Sequence, residues 1–324
     1  MPFIAMDLGG TKLAAALFDD DGEALLRETV PLAGRAGIDV ATLMVERHAA
    51  LRERAGAPCP VGVTVPGIYR AGSGTVWAPN IPGWEDFPLR RMLAEAADGA
   101  PVTVDSDRAA HIVGETWRGA ARGARDAVFL LVGTGIGAGI LVDGRVLRGH
   151  GDIAGAIGWL ALRQPYRDGY RECGCFEYHA SGPGIAKAAR ALIDADPGYD
   201  GELRGLARDE LTTAHVFDAA ERRDPVAMRV IDDAIALWGM AAANLVSVFN
   251  PEVVVFGGGV FGPAARHLQR IQDEATRWAQ PIAIHQTCFV ASTLGADAPL
   301  YGAARLAMQG AAGRREAPIR ERLA

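Results

Sequence analysis

Three glycine-rich turns and one acidic pair are the residues of this chain best suited to chemistry. The turns are Asp7-Leu8-Gly9-Gly10-Thr11-Lys12, Gly133-Thr134-Gly135-Ile136-Gly137 and Gly257-Gly258-Gly259. Where no Cβ blocks the approach, converging backbone N–H dipoles can hold phosphate oxygens. The acidic pair is Asp105 and Asp107 in Asp105-Ser106-Asp107. A carboxylate within hydrogen-bond reach of an alcohol can align the hydroxyl and take its proton as a bond to phosphorus forms. Asp107 is the first candidate for that base and Asp105 the reserve. Asp107 or Ser106 could equally do no more than cap the helix that follows.

The elements around these residues decide which phosphate motif they form. Residues 3–18 read as strand, glycine turn, strand, and Asp19-Asp20-Asp21-Gly22 turns the chain into a third strand over 24–30. Residues 127–148 repeat this pattern about 125 residues later, again with an Asp-Gly turn, Asp143-Gly144, before a third short strand. A Walker loop or a dinucleotide fingerprint must open a helix. The first two turns lie between strands, so neither motif fits. Helical spacing marks residues 38–56, 185–193 and 227–248, and a last helix spans 298–308 before a charged tail at 314–322. Pro60-Val61-Gly62-Val63-Thr64-Val65 and Pro251-Glu252-Val253-Val254-Val255-Phe256 read as buried strands.

Composition adds limits. The chain has 324 residues, 49% hydrophobic and 22% charged, which suits two globular domains. A net charge of −6 without basic runs predicts neither nucleic acid nor anionic membrane as a partner. Lys12 and Lys187 are the two lysines among 33 basic residues, and Lys12 falls in the first glycine turn. Four cysteines (Cys59, Cys173, Cys175, Cys288) do not make a disulfide scaffold, and no signal-peptide pattern opens the chain. A cytoplasmic location is expected.

Four segments taken together resemble the ROK family: Asp7 to Lys12; Ala78-Pro79-Asn80-Ile81-Pro82-Gly83-Trp84; Gly133 to Gly137 with Asp143-Gly144; and Asn250-Pro251-Glu252 with Gly257-Gly258-Gly259. The resemblance implies an α/β fold of two actin-like, ribonuclease H-like lobes with a nucleotide and sugar cleft between them. It implies a smaller lobe from residues 1–117 plus 303–324, a larger lobe from 118–302, and a homodimer. The family holds sugar kinases and repressors. Its repressor branch carries a helix-turn-helix ahead of the first glycine turn, and six residues before Asp7 give that reader no room. ATP and Mg²⁺ are the implied cofactors. Asp7 would position Mg²⁺; Gly9, Gly10, Thr11, Lys12, Gly133, Thr134 and Gly135 would hold phosphates; Gly257, Gly258 and Gly259 would face the nucleoside. Asp105-Ser106-Asp107 stands where the family has Glu-Asn-Asp, whose last residue is the base. Asn80, Gly155 and Glu177 match sugar-binding positions, whereas Trp84 reads as core.

The pattern breaks around the sugar. The family's Gly-Glu-Ile-Gly-His is here Gly155-Ala156-Ile157-Gly158-Trp159, and two of its zinc cysteines are Asp168 and Tyr170. Ala156 lacks a hydroxyl-reading carboxylate, Trp159 replaces a sugar and zinc histidine, and Ser106 replaces a sugar-contacting Asn. Each neutral hydrogen bond lost removes about 0.5–1.5 kcal/mol. Trp159 offers an apolar face to a ring, or fills the space of the missing knuckle. Cys173, Cys175 and His179 lack an obvious fourth ligand, so a structural zinc is not expected. The resemblance therefore implies a kinase acting on the 6-hydroxyl of a hexose-like acceptor other than glucose, an amino sugar of the kanosamine kind or a C7 carbasugar. A conventional glucokinase and a non-catalytic sugar sensor are the alternatives.

Overall fold

The computed structural model describes residues 1–207 and 209–313, so the predicted charged tail at 314–322 lies outside the described residues. The chain divides into two compact units. One is built from Met1–Gly119, Arg148–Ile153 and the chain from Asp297; the other from Ala120–Leu147 and Ala154–Ala296.

In the first unit, β1 (Phe3–Leu8), β2 (Lys12–Phe18) and β3 (Ala24–Pro31) form an antiparallel meander. Further along, β4 (Val61–Val65), the small hairpin β5 (Ile68–Arg70) and β6 (Thr75–Trp77), and β7 (Val102–Ser106) follow. The five-stranded sheet has the order β3-β2-β1-β4-β7, with β1, β4 and β7 parallel. Strand alternation sends Ile4, Met6, Leu8, Val61 and Val63 into one core with Val40 and Met44 of helix Gly37–Ala55. Ala5 and Ala16 face the other way, onto Leu300, Ala303 and Ala304 of the C-terminal helix Ala298–Ala311. That helix lies close enough that a Cβ at Gly62 would overlap the Ala303 carbonyl oxygen. Gly114 and Gly302 do the same service between the C-terminal helix and helix Asp107–Arg118.

The second unit repeats the plan. Strands β8 (Ala127–Val132), β9 (Ile136–Val142), β10 (Arg145–Val146), β11 (Val253–Gly257) and β12 (Cys288–Ala291) have the order β10-β9-β8-β11-β12, with three antiparallel strands followed by two parallel ones. Val128, Leu130, Val254 and Phe256 pack with Ile185, Phe217 and Trp238 of helices Gly182–Ala195, Thr213–Glu221 and Pro225–Phe249. The last of these is long and apolar enough to cross a membrane by length and composition, but two thirds (67%) of its apolar window is buried within the protein. Asp224 caps its start by accepting the Ala227 N–H, and Asn250 ends it in the left-handed region.

Candidate functional site

The register of the first sheet gathers polar side chains at one level. Asp7 of β1 pairs with Thr64 of β4, and Thr64 with Asp105 of β7, so the three stand side by side in parallel strands and share a face. Thr64 Oγ1 donates to Asp7 Oδ1 at 2.7 Å and fixes that carboxylate. Burial raises the Asp7 pKa against this bond, with nearby Asp107 acting in the same direction.

The acidic pair separates into two roles. Asp105 is buried, and both its oxygens are engaged: Oδ1 accepts the Ser106 N–H at 2.8 Å and Oδ2 an Arg148 Nη2–H at 2.6 Å. Ser106 is the helix cap, its Oγ accepting the Ala109 N–H. Asp107 is thereby relieved of capping. Its Oδ1 accepts the Arg108 N–H at 2.7 Å, and burial pushes its carboxyl up to about 6 against the pull of Arg108. Its neighbour one turn on, His111, bonds through Nδ1 to the Asp107 carbonyl at 2.7 Å, and burial holds its imidazole below the usual pKa. A carbonyl only accepts, so Nδ1 is the protonated nitrogen.

The first glycine turn projects from the end of this row. Gly9 N–H is taken by Lys12 O at 2.9 Å, while Gly10, Thr11 and Lys12 are exposed. Exposed Asn80 lies over the turn: a Cβ on Gly10 would stand 3.5 Å from Asn80 Cβ. Trp84 is core, with Nε1 donating to Gly37 O and its ring stacked on Phe87.

In the second unit the other two glycine turns adjoin, since a Cβ on Gly133 would be 3.9 Å from the Gly259 nitrogen. The Gly133 N–H is taken by Gly135 O and the Gly133 carbonyl by the Gly182 N–H, leaving Thr134 and Gly135 exposed. Gly258 has φ +95, and a Cβ there would overlap the Val132 carbonyl oxygen. Gly257 is required by packing, because a Cβ would overlap the Phe129 ring. Gly259 is exposed.

Glu177 braces the same turn. Its Oε2 accepts the Ile136 N–H at 2.6 Å and leaves room for no side chain at Gly158 without movement. Burial raises its pKa and the Ile136 bond opposes that shift. Gly155, at φ +86, accepts the Ala138 N–H through its carbonyl at 2.7 Å, and half-buried Ala156 leads into the short turn Ile157–Trp159. Trp159 is 57% exposed, so it does not fill an interior space.

The side chains of Cys173, Cys175 and His179, the three possible ligands left near the family's zinc knuckle, are each turned to other partners. His179 Nε2 is bonded to Tyr170 OH at 2.8 Å, and burial with Arg163 and Arg167 depresses its pKa to about 4. Buried Cys175 faces the Arg163 carbonyl, while Cys173 lies against its own Gly174 carbonyl. Among the described residues no three His, Cys, Asp or Glu side chains are grouped to hold a metal. Tyr170 and Tyr178 pack edge to face, and Lys187 lies over the Tyr178 ring at 3.6 Å, which engages that lysine away from the glycine turns.

Thr64, His111 and Arg148 are site residues that sequence reasoning missed. A threonine in an otherwise apolar strand was a readable signal for the first. His111 sits four residues after Asp107, on the same helix face. Nothing local marks Arg148, whose partner is 43 residues away.

The ROK family profile matches residues 3–310. The chain belongs to the ROK family. A glucokinase from Halalkalibacterium halodurans is 31% identical over 322 residues, covering 95% of each chain. The ROK hexokinase structure from Thermus thermophilus superposes with a TM-score of 0.80 at 32% identity, over 97% of this chain and 100% of that one. A ROK glucokinase from Streptomyces griseus, solved with glucose and AMPPNP, gives 0.75 at 29% identity over 95% and 100%. The two sheets of like order are thus the two actin-like units of ROK sugar kinases.

Proposed function

We propose that this ROK protein is an ATP-dependent sugar kinase that phosphorylates the primary, 6-position hydroxyl of a hexose-like acceptor, with Asp107 as the base. The observation that carries this reading is the division of labour at residues 105–107: Ser106 caps the helix, Arg148 engages Asp105, and Asp107 keeps a carboxyl poised near 6. The Asp107 carboxylate takes the acceptor's proton as the hydroxyl oxygen bonds to the γ-phosphorus and the bond to the departing ADP oxygen breaks. Similarity to glucokinases and a hexokinase supports this reaction class.

Asp7, held by Thr64 and half-buried, suits a role beside Mg²⁺, which when bound neutralises charge on the transferring phosphate. Gly10, Thr11, Lys12, Thr134 and Gly135 offer exposed turns to phosphate, with Gly9 and Gly133 shaping them through internal bonds. Gly258 and Gly259 suit the nucleoside side. Asn80, Ser106, Asp107, Gly155, Ala156, Trp159 and Glu177 make up the acceptor set. Within it, Ala156 and exposed Trp159 favour a ring with fewer groups to be read by charge, an amino sugar of the kanosamine kind or a C7 carbasugar. A homodimer without zinc is the expected form.

Glucokinase is the second reading, favoured by the 31% identity to a glucokinase over 95% of both chains. ADP release measured over glucose, amino sugars and cyclitols separates the two. The proposal expects the highest kcat/KM with a non-glucose acceptor. Highest kcat/KM with glucose would overturn the acceptor assignment, and ligand binding without ADP release from any acceptor would overturn the kinase.

A further inference from the structure

The chain leaves the second unit after β10, contributes Arg148–Ile153 to the first unit, and re-enters the second at Ala154. This strap is fastened at both ends. Arg148 pairs with Asp105, and Asp152 Oδ2 accepts the Ala71 N–H at 3.1 Å. The two fastenings differ in burial: Asp105 is 7% exposed at its side chain and Arg148 34%, whereas the Asp152 bond is exposed. A buried carboxylate is costly unless paired and hydrogen-bonded. Asp105 is both, and its partner comes from a segment far away in sequence.

We propose that Arg148 is a positioning residue for phosphoryl transfer: it engages Asp105, so that Asp107 alone of the pair is left to accept the acceptor's proton, and it pins the strap to the same strand end. This rests on Asp107 being the base. Without the guanidinium, Asp105 would stand two residues from Asp107 as an uncompensated negative charge. A like charge nearby makes a carboxyl harder to ionise. The other charged or titratable groups near Asp107 are Arg108 beside it, His111 one turn on, with Glu115 beyond it, and Lys12 near Asp7. The C-terminal helix brings Ala298 and Gly302 against this helix, and its Arg305 lies over Trp117 at the far end.

The test uses the full chain labelled with carbon-13 in its aspartate carboxyls, the Asp107 resonance being identified by its loss in Asp107→Asn. In the unaltered protein that resonance is expected to titrate near 6. Arg148→Gln is expected to move its midpoint upward by about one unit, with the acid limb of kcat/KM moving equally and KM for ATP unchanged. Arg148→Lys restores most of the midpoint, and Asp105→Asn with Arg148→Gln returns it to the starting value, because the charge needing a partner is gone. A midpoint unmoved in folded Arg148→Gln, or a double variant no different from that single one, overturns the proposal. Should Arg148→Gln not fold, the lysine and double variants decide on the same criterion. The titration needs no turnover, so a protein that phosphorylates no acceptor would sink the kinase reading while the Arg148 effect is still read directly.

Discussion

The two units share a strand order and differ in what the strand ends carry. In the first, the row across three parallel strands is Asp7, Thr64 and Asp105. In the second, the position one residue before the end of the first strand is Leu131, paired with Gly257. One frame therefore holds charged and polar side chains, while the other presents bare backbone between apolar side chains. A five-stranded sheet of this order fixes the level at which side chains meet and leaves their chemistry free, and the two copies have used that freedom in opposite directions.

The sharpest test of that contrast is Asp107→Asn. Removing a positioned base should lower kcat by about 10²- to 10⁴-fold with nucleotide affinity retained, read by ADP release and calorimetry. An active variant would break the assignment. Stability should move the opposite way. The folded state binds the Asp107 proton more tightly than the unfolded chain, so this group's contribution is full below about 4 and lost as pH rises to about 6. Above that range the asparagine variant should melt at the same or a higher temperature.

On the second unit, Gly258→Ala tests whether backbone alone does the work. The φ of +95 and the overlap with Val132 O should cost about 1–3 kcal/mol in denaturant unfolding and weaken nucleotide binding. Unchanged binding would show that the third turn is merely structural. Next in size is pH: because the base must be ionised, kcat/KM should fall about tenfold per unit below about 6, and a limb absent in that range would exclude Asp107. The smallest expected effect is on stability in Trp159→Ala. A residue 57% exposed should change unfolding by less than about 0.5 kcal/mol, while KM for the acceptor rises. A large loss of stability would make Trp159 a packing residue after all.

Much of this frame was legible in the sequence. The meander of the first unit and its copy follow from alternation broken by glycine and Asp-Gly turns, and the copy itself announced two related sheets. The hairpin β5–β6 was missed because its strands are three residues each, and helix Leu268–Trp278 because it buries little more than Ile271 and Ala275. Within the site, the aspartates and glycine turns stood out by type. What separates Asp105 from Asp107 did not, since it depends on an arginine 43 residues from Asp105 and on which side chain wins the helix cap. Tyr170 read as a missing cysteine, although its hydroxyl is what occupies His179. Trp159 stayed ambiguous because exposure is set by neighbours distant in sequence.

The docking of the C-terminal helix over Gly62 has a consequence for how the chain comes into being. The residues that cover the first-made sheet are among the last to be synthesised. At roughly 5–20 residues per second, the ribosome needs on the order of 10–40 s between finishing helix Asp107–Arg118 and delivering Ala298–Ala311. During that interval Ala5, Ala16 and Gly62 have no helix to cover them, so the nascent first unit must wait, uncovered on one face, until the whole of the second has been made.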